Sequence, residues 1–256
     1  MELPVNHFKR GLMAGQTQIG LWSHLCSPIA TEILSRCGYD WLLLDMEHSP
    51  NDLGEILAQL HAMQGASTMP VVRPPWLDMV LFKRLLDIGV QNLLVPYIQT
   101  EEEACHAVAY TRYPPHGVRG YAGAPRASHY GRVKDYAKRC ADEIGVLLQV
   151  ETVQGLQNLE AIARVDGVDG VFIGPGDLSA ALGHLANPKH PEVLRVIDEA
   201  IATIRRCGKA AGILTGDEAL AQHYVDQGCL FVAVGADQNL LRDQAAALRQ
   251  RIKSRA

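Results

Sequence analysis

The 256-residue chain is predicted to fold as a single (β/α)8 barrel that spans residues 1–256. Two observations lead to this fold. Short apolar runs alternate with stretches of helical periodicity eight times, and the chain has the usual length of one barrel of eight such units. Right-handed crossovers between consecutive parallel strands would then close the sheet. The predicted strands are residues 19–23, 41–45, 69–73, 92–96, 146–150, 170–173, 210–214 and 231–234.

The stretches between the predicted strands have the periodicity of amphipathic helices. Apolar residues recur every three or four positions in residues 53–60 and again in residues 80–88, which gives each segment one stripe to pack on the sheet. After the eighth strand, residues 237–251 predict a last helix. Its alanines at 245–247 favour close packing, either on the barrel or on a neighbouring subunit.

One connection is longer than the others. About 50 residues separate the fourth predicted strand from the fifth, where a helical crossover needs about 20. The surplus, residues 110–139, is rich in proline, glycine, arginine and aromatic residues. Because long connections at the carboxyl ends of barrel strands often cover an active site or form a subunit contact, we expect one of these roles. The alternative is a mobile surface insertion.

Composition limits the possible partners and compartment. The net charge of -4 offers no basic surface for nucleic acid or for an anionic membrane, so we expect neither as a partner. Residues 1–15 contain no apolar signal segment, and nowhere do about 18 apolar residues follow one another, which favours a cytoplasmic protein. The six cysteines form no CxxC pair and no His/Cys cluster. They predict reduced, mostly buried thiols rather than disulfides or a zinc site.

Polar residues at the end of the second strand give the first sign of chemistry. The buried run 41–44 stops at Asp45, and Glu47 and His48 follow at once. The carboxyl ends of barrel strands face a common mouth, where an imidazole beside carboxylates can serve as a general base. The alternative is structural, because Asp45 or Ser49 could cap the helix that begins near residue 52.

Further polar residues end other strands. Strand three ends at Arg73, whose planar fork suits a carboxylate or an enolate oxygen. Glu151 and Asp177 follow strands five and six, and two carboxylates of this kind can hold Mg²⁺ or Mn²⁺ for use on an oxygen-rich substrate. The alternative, an ion pair between Glu151 and Arg73 with Asp177 capping a helix, remains equally open.

Four more positions belong to the predicted mouth or to its support. Trp22 ends strand one, and Gln149 lies on the same face of its strand as residue 151. A turn with glycine at 174 and at Gly176 brings backbone N–H groups toward the mouth, where they can receive a carboxylate or a phosphate. Asp87 is an acid on the otherwise apolar stripe of residues 80–88. Its structural alternative is a surface acid.

Seven short strings occur in order along the chain. They are GLWS at 20–23, DMEHSPN at 45–51, PVVR at 70–73, KRLLDIG at 83–89, TRYPP at 111–115 with glycine at 117 and Arg-Gly at 119–120, QVE at 149–151, and VFIGP at 171–175 with DLS at 177–179. Together these strings resemble the HpcH/HpaI family of class II, metal-dependent pyruvate aldolases. The resemblance extends from about residue 8 to the end, and it is nearest to the 2-dehydro-3-deoxyglucarate and 4-hydroxy-2-oxoheptanedioate aldolases.

The resemblance implies a chemistry and its catalytic groups. Glu151 and Asp177 would hold a divalent metal ion, Mg²⁺ or Mn²⁺ with Co²⁺ also possible, and pyruvate would chelate it. Arg73 and the metal would stabilise the pyruvate enolate. His48 matches the base that removes the C4 hydroxyl proton in the family. Asp87 matches the acid that orients this base, and in relatives this acid comes from the adjacent subunit.

The resemblance also implies the substrate pocket and the assembly. The N–H groups of Gly176 and of the next residue would hold the pyruvate carboxylate, Gln149 would contact pyruvate, and Trp22 would line the pocket. Asp45 and Leu214 complete the expected substrate-binding set. Relatives form homohexamers that exchange the last helix between subunits.

Three positions depart from the family's pattern. Met46 stands where glycine is common, the residues after strand seven, 214–216, differ from the usual loop, and Gly176 replaces alanine or serine. The metal and pyruvate positions are intact, so the departures concern the aldehyde side of the pocket.

Three functions are compatible with these observations. The first is reversible cleavage of a 2-keto-3-deoxy (4-hydroxy-2-oxo) acid to pyruvate and an aldehyde such as tartronate semialdehyde. The second is a carbon-carbon lyase that acts on an acyl-CoA thioester, as in citrate lyase β-like proteins, although the chain shows no basic groove for CoA phosphates. The third is a non-catalytic oligomeric binding protein. The polar residues at the mouth argue against it, because the stability of the fold does not require them.

Overall fold

The chain forms a closed barrel of eight parallel strands in sequence order, which confirms the predicted fold. A computed structural model describes residues 1–254. Strand β1 pairs with both β2 and β8 and so closes the barrel. The strands are β1 (Gln18–Ser23), β2 (Trp41–Asp45), β3 (Met69–Arg73), β4 (Asn92–Val95), β5 (Gly145–Val150), β6 (Gly170–Ile173), β7 (Ala210–Leu214) and β8 (Phe231–Ala236).

Helices follow the strands and surround the barrel. Most begin at a capping side chain, as at Asp52, which forms a capping box with Glu55 at the start of the helix after β2. Neither Asp45 nor Ser49 caps that helix, so this structural alternative is wrong. The helices are α1 (His7–Met13), α2 (Pro28–Leu34), α3 (Leu53–Ala62), α4 (Met79–Asp87), α5 (Glu101–Ala109), α6 (Tyr136–Arg139), α7 (Val153–Gln157), α8 (Leu159–Arg164), α9 (Pro175–Ala181), α10 (Pro191–Arg206), α11 (Glu218–Asp226) and α12 (Asp237–Lys253).

Aromatic side chains fill the barrel interior. Trp41 packs against Phe8 of α1 and against Phe231, at ring centroid distances of 5.8 and 6.2 Å. Glycine is required beside these rings, because a Cβ at Gly20 would overlap the Trp41 ring and a Cβ at Gly212 would overlap the Phe231 ring. The amino end of the barrel is therefore closed, and only its carboxyl end is left as a mouth.

The long connection between β4 and β5 lies at the opposite end of the barrel from the predicted position. The capping box of Thr100 and Glu103 starts α5 soon after β4, and α5 returns the chain to the amino end before residues 110–139 begin. The expectation that this connection stands at the carboxyl face is therefore wrong. It is anchored there by Arg119, which is buried, lies 4.5 Å from the ring centroid of Tyr113 and donates to Asp87.

The last helix, α12, extends away from the barrel surface. Among its residues, all within the described part of the chain, Asp237 alone is buried. Apolar side chains of α12 are exposed at Leu240, Leu241, Leu248 and Ile252. Nothing in a single chain covers this face. Within residues 1–254, we find no helix with both the length and the apolar character needed to cross a membrane.

Candidate active site

A buried ion pair joins the ends of β2 and β3. Asp45 and Arg73 are opposite each other in the strand register. The guanidinium donates from Nε to Asp45 Oδ1 at 2.8 Å and from Nη2 to Oδ2 at 2.7 Å, which is the bidentate geometry of a strong pair. Burial alone would raise the pKa of Asp45, but the hydrogen bonds and charge of Arg73 outweigh it and leave that pKa lowered. Asp45 is therefore ionised and fixes the guanidinium.

Two further contacts fix the position of Arg73. Its Nη1 lies 2.8 Å from Glu47 Oε2, and its Cζ lies 5.3 Å from the ring centroid of Trp22. A cation held by a carboxylate on each side and by an aromatic face cannot rotate freely. Arg73 is thus a preorganised positive charge at the mouth.

The turn after β2 is held by buried amides. Asn51 donates to the carbonyl of Asp45 at 2.6 Å, and Gln59 of α3 donates to Asn51 Oδ1 at 2.8 Å. Met46 lies in this turn with its side chain in the layer between strands and helices. The departure at Met46 is therefore accommodated by outer packing, and it does not reshape the mouth.

Glu151 is a buried carboxylate without a cationic partner among the described residues. It is 2% exposed, and it accepts hydrogen bonds from the backbone N–H of Tyr97 at 3.0 Å and from the side chain of Gln149. Burial raises its pKa to about 7, and the charges of Asp177 and Glu47 add to the effect. The ion pair between Glu151 and Arg73, which was the structural alternative, does not form.

Asp177 lies in the first turn of α9, exposed at the mouth. It does not cap the helix, because the N-cap is Gly174 and that cap makes no side-chain hydrogen bond. The first backbone bond of the helix runs from the N–H of Leu178 to Gly174, so the amides of Gly176 and Asp177 precede it. A Cβ at Gly176 would meet nothing within 4 Å, so no side chain crowds the backbone at this position.

The residues around Glu151 fit a divalent cation. Asp177 and Glu151 could supply hard oxygen ligands, and the charge of Asp177 raises the pKa of Glu151. The Oε1 atom of Gln149 is buried there without a hydrogen-bond partner in the described chain. A Cβ at Gly174 would overlap Glu151 Oε2, so glycine is required to leave room for this carboxylate. A bound cation would neutralise the buried charge.

His48 and Asp87, the predicted base and its orienting acid, do not meet within one chain. The His48 side chain is 60% exposed, and its Nε2 lies 3.9 Å from Glu47 Oε2. Asp87 ends α4 at the amino end of the barrel, where it accepts from Arg119 at 2.8 Å. A contact between His48 and Asp87 therefore requires a second subunit.

Leu214 lies at the end of β7 and is half-buried. With Gly176 it lines a cavity of about 410 Å³ that also contains Lys189, Thr215 and Gly216. This cavity adjoins the first turn of α9. It is the open space next to the predicted pyruvate-binding amides.

The contacts of two residues at the mouth, Glu47 and Asp237, were not predicted from the sequence. Glu47 pairs with Arg73, whereas the sequence indicated only that it was one of several acids. Asp237 accepts hydrogen bonds from the side chain of Ser23 at 3.0 Å and from the backbone of His24 at 2.9 Å. The signal for Asp237 was available, because an acid directly follows β8 as acids follow β2, β5 and β6.

A cluster of possible ligands also lies on the surface near the start of α10. Ligand atoms of His184, His190 and Glu192 lie within 4.8 Å of one another, the one such group of three within residues 1–254. The two imidazole rings are stacked with centroids 3.5 Å apart. Their lone pairs therefore lie in nearly parallel planes and do not converge on one point, and His184 already bonds to Glu192 at 2.7 Å.

A barrel with two carboxylates and a fixed guanidinium at its carboxyl mouth belongs to the class of enzymes that stabilise an oxyanion formed on a small substrate. The chain is a member of the HpcH/HpaI aldolase/citrate lyase family, which its residues 18–244 match.

Relatives match over nearly the whole chain. A pyruvate aldolase of Rhizobium etli is 55% identical, covering 98% of this chain and 99% of that protein. A 4-hydroxy-2-oxo-heptane-1,7-dioate aldolase of Klebsiella pneumoniae is 53% identical, covering 98% and 95%. The crystal structure of an HpcH/HpaI aldolase/citrate lyase family protein from Burkholderia cenocepacia superposes with a TM-score of 0.94 at 39% identity, covering 97% and 100%.

Proposed function

We propose that the protein is a divalent-metal-dependent aldolase that reversibly cleaves a 2-keto-3-deoxy (4-hydroxy-2-oxo) acid to pyruvate and an aldehyde. The observation that carries this proposal is the guanidinium of Arg73, fixed by Asp45, in the same mouth as the unpaired carboxylate of Glu151. Relatives whose names include pyruvate aldolase and 4-hydroxy-2-oxo-heptane-1,7-dioate aldolase support it. Tartronate semialdehyde is the aldehyde that we expect.

The cleavage leaves the electron pair of the C3–C4 bond in the enolate of pyruvate, so negative charge develops on the keto oxygen. Arg73 supplies positive charge to that oxygen without reorganising, because Asp45 already holds it in place. The amides of Gly176 and Asp177 donate to the pyruvate carboxylate, and Gln149 and Trp22 complete the contacts. A divalent cation held by Glu151 and Asp177, Mg²⁺ or Mn²⁺ with Co²⁺ also possible, would add Lewis-acid stabilisation of the enolate.

Proton transfer is assigned to His48. The exposed imidazole takes the proton of the C4 hydroxyl as the C3–C4 bond breaks. Asp87 of a neighbouring subunit would orient it, and Arg119 would fix Asp87 by the hydrogen bond at 2.8 Å. A Schiff-base mechanism lacks a candidate, since no lysine is buried among residues 1–254.

We propose a homohexamer in which α12 packs on a neighbouring subunit. The uncovered apolar face of this helix supports the proposal. Replacing Leu241 and Leu248 together by glutamate should reduce the mass in solution below that of a hexamer, measured by light scattering, because two charges would be buried in the interface. Gln250→Glu, on the opposite side of the helix, should leave the mass unchanged. A hexamer that survives the double substitution would place the interface elsewhere.

A cytoplasmic location and a single domain over residues 1–256 are part of the same proposal. All six cysteines are free thiols, which is typical of a reducing compartment. The eight strands and their helices form one barrel over the described residues.

The aldolase and the acyl-CoA lyase can be separated by a substrate panel. We expect the purified protein to release pyruvate from 2-dehydro-3-deoxyglucarate and from 4-hydroxy-2-oxoheptanedioate, measured by coupling to lactate dehydrogenase. We expect no cleavage of citryl-CoA or malyl-CoA under the same conditions, because Lys189 beside the mouth is paired with Asp217 and the net charge of -4 does not favour the phosphates of CoA. Thioester cleavage without pyruvate release would favour the citrate lyase β-like function instead.

A further inference from the structure

A second imidazole lies at the mouth, just beyond β1. The backbone N–H of His24 donates to Asp237 Oδ1 at 2.9 Å. Its ring atom Nδ1 lies 2.9 Å from Ser49 Oγ and 3.2 Å from Asp45 Oδ2. The side chain is 15% exposed, in contrast to the 60% of His48. Of the two imidazoles at the mouth, His24 is therefore the one whose orientation is fixed within one chain.

These contacts favour one tautomer of His24. Asp45 is ionised and can only accept, so an unprotonated Nδ1 would turn its lone pair toward Asp45 Oδ2 at 3.2 Å, whereas a protonated Nδ1 can donate to Ser49 Oγ at 2.9 Å. Ser49 contacts the same nitrogen. The other ring nitrogen, Nε2, then has a free lone pair, and no side chain or backbone group among residues 1–254 forms a hydrogen bond with it.

The neutral form of His24 is favoured by its surroundings. Burial lowers its pKa, and the nearby charges of Arg73 and His48 lower it further. Asp45 and Asp237 act in the opposite direction, but the pKa stays below the ordinary value of 6.5. At neutral pH, Nε2 is therefore a hydrogen-bond acceptor.

The imidazole of His24 lies beside Arg73, the residue proposed to bind the reacting keto oxygen. Asp45 Oδ2 is shared between His24 Nδ1 at 3.2 Å and Arg73 Nη2 at 2.7 Å, so the imidazole and the guanidinium are neighbours. Carboxylate and keto oxygens of a substrate are attracted to Arg73. A neutral Nε2 instead accepts a hydrogen bond, and the substrate group that can donate one is a hydroxyl.

We propose that His24 is a specificity-determining residue that contacts the aldehyde component, with Nε2 accepting the hydrogen bond of a hydroxyl group on that aldehyde. The inference rests on the aldolase function proposed above and adds the residue that recognises the hydroxyl of the aldehyde. A site that pairs a buried polar group with a substrate hydroxyl discriminates against the analogue without it, because the group is then left unpaired.

The test compares two aldehydes of similar size in the condensation with pyruvate. Glycolaldehyde carries the hydroxyl and acetaldehyde lacks it. We expect the wild-type protein to prefer glycolaldehyde in kcat/KM, and His24→Phe, which keeps a planar ring without Nε2, to lower the ratio of the two kcat/KM values about tenfold. His24→Gln retains an acceptor oxygen and should restore part of the preference.

A matched control is available away from the mouth. His223 also pairs with an aspartate, at 3.0 Å from Asp198, on α11 and α10. His223→Phe should leave the ratio of the two aldehydes at its wild-type value. The readout is a ratio, so a general loss of active protein does not imitate the expected result.

The tautomer gives a second readout that does not require turnover. In ¹⁵N spectra of histidine-labelled protein at pH 7, the resonance pair lost in His24→Gln should report hydrogen on Nδ1. Hydrogen on Nε2 would overturn the inference. So would a ratio that His24→Phe leaves unchanged in an active enzyme, whereas a wild-type protein inactive with both aldehydes would contradict the proposed function and this inference with it.

Discussion

Arg73→Lys should lower kcat/KM for pyruvate release by about 10²- to 10³-fold, the effect of removing one preorganised donor from a developing oxyanion. Lysine keeps the positive charge but not the planar fork that bonds to both oxygens of Asp45 at 2.8 and 2.7 Å. The charge at position 73 would then lose its fixed place beside the keto oxygen. Steady-state kinetics with a lactate dehydrogenase couple measures the loss.

Lysine is chosen over alanine because of Asp45. Removing the guanidinium altogether would leave this carboxylate buried and unpaired, at a cost of about 3–5 kcal/mol, and would confuse a folding defect with a catalytic one. Arg164→Lys is the matched control, since Arg164 pairs with Glu160 at 2.8 Å on an exposed helix face. Wild-type kcat/KM in Arg73→Lys would remove the guanidinium from the mechanism.

Glu151→Gln should abolish activity to below about 10⁻³ of wild type and should also remove tight binding of Mn²⁺, measured by calorimetry. Glutamine has the shape of glutamate but is a poor ligand for a hard divalent cation. Asp177→Asn should act in the same direction. Glu160→Gln, an exposed acid on α8, is the matched control and should change neither quantity.

Glu151→Gln should increase the stability of the metal-free protein, although it abolishes activity. Since burial raises the pKa of Glu151 to about 7, its ionised form is unfavourable in the metal-free fold at pH 8. The metal-free Glu151→Gln protein should therefore melt at a higher temperature than metal-free wild type at that pH. A variant that is both less stable and still able to bind Mn²⁺ would show that Glu151 has a purely structural role.

The strands could be predicted from the sequence because each is buried on both faces and ends in turn-forming or polar residues. The predicted runs end within two residues of the observed strands, and the largest difference is β8, which continues to Ala236. The mouth residues Asp45, Arg73, Glu151 and Asp177 followed from the same pattern. A polar residue directly after a buried strand must lie where the carboxyl ends of the barrel strands meet.

Pairing among these side chains could not be predicted, because it depends on strand register and on turns that bring distant residues together. From the sequence alone, an ion pair between Arg73 and Glu151 was equally possible. The strand register, which places Arg73 opposite Asp45, decides the pairing. His24 carried no signal, since its ring is placed by Asp45 and Ser49 and its backbone by Asp237 at the start of α12. Periodicity also did not show that α5 precedes the long connection, which moved residues 110–139 to the amino end.

The central claim is that Glu151 and Asp177 hold a divalent cation that the aldol reaction requires. The most direct measurement is pyruvate release from 2-dehydro-3-deoxyglucarate by the wild-type protein, before and after EDTA and again after Mg²⁺ or Mn²⁺ is added in excess. We expect activity to be lost with the chelator and restored by the metal. Full activity in the presence of EDTA would contradict the claim.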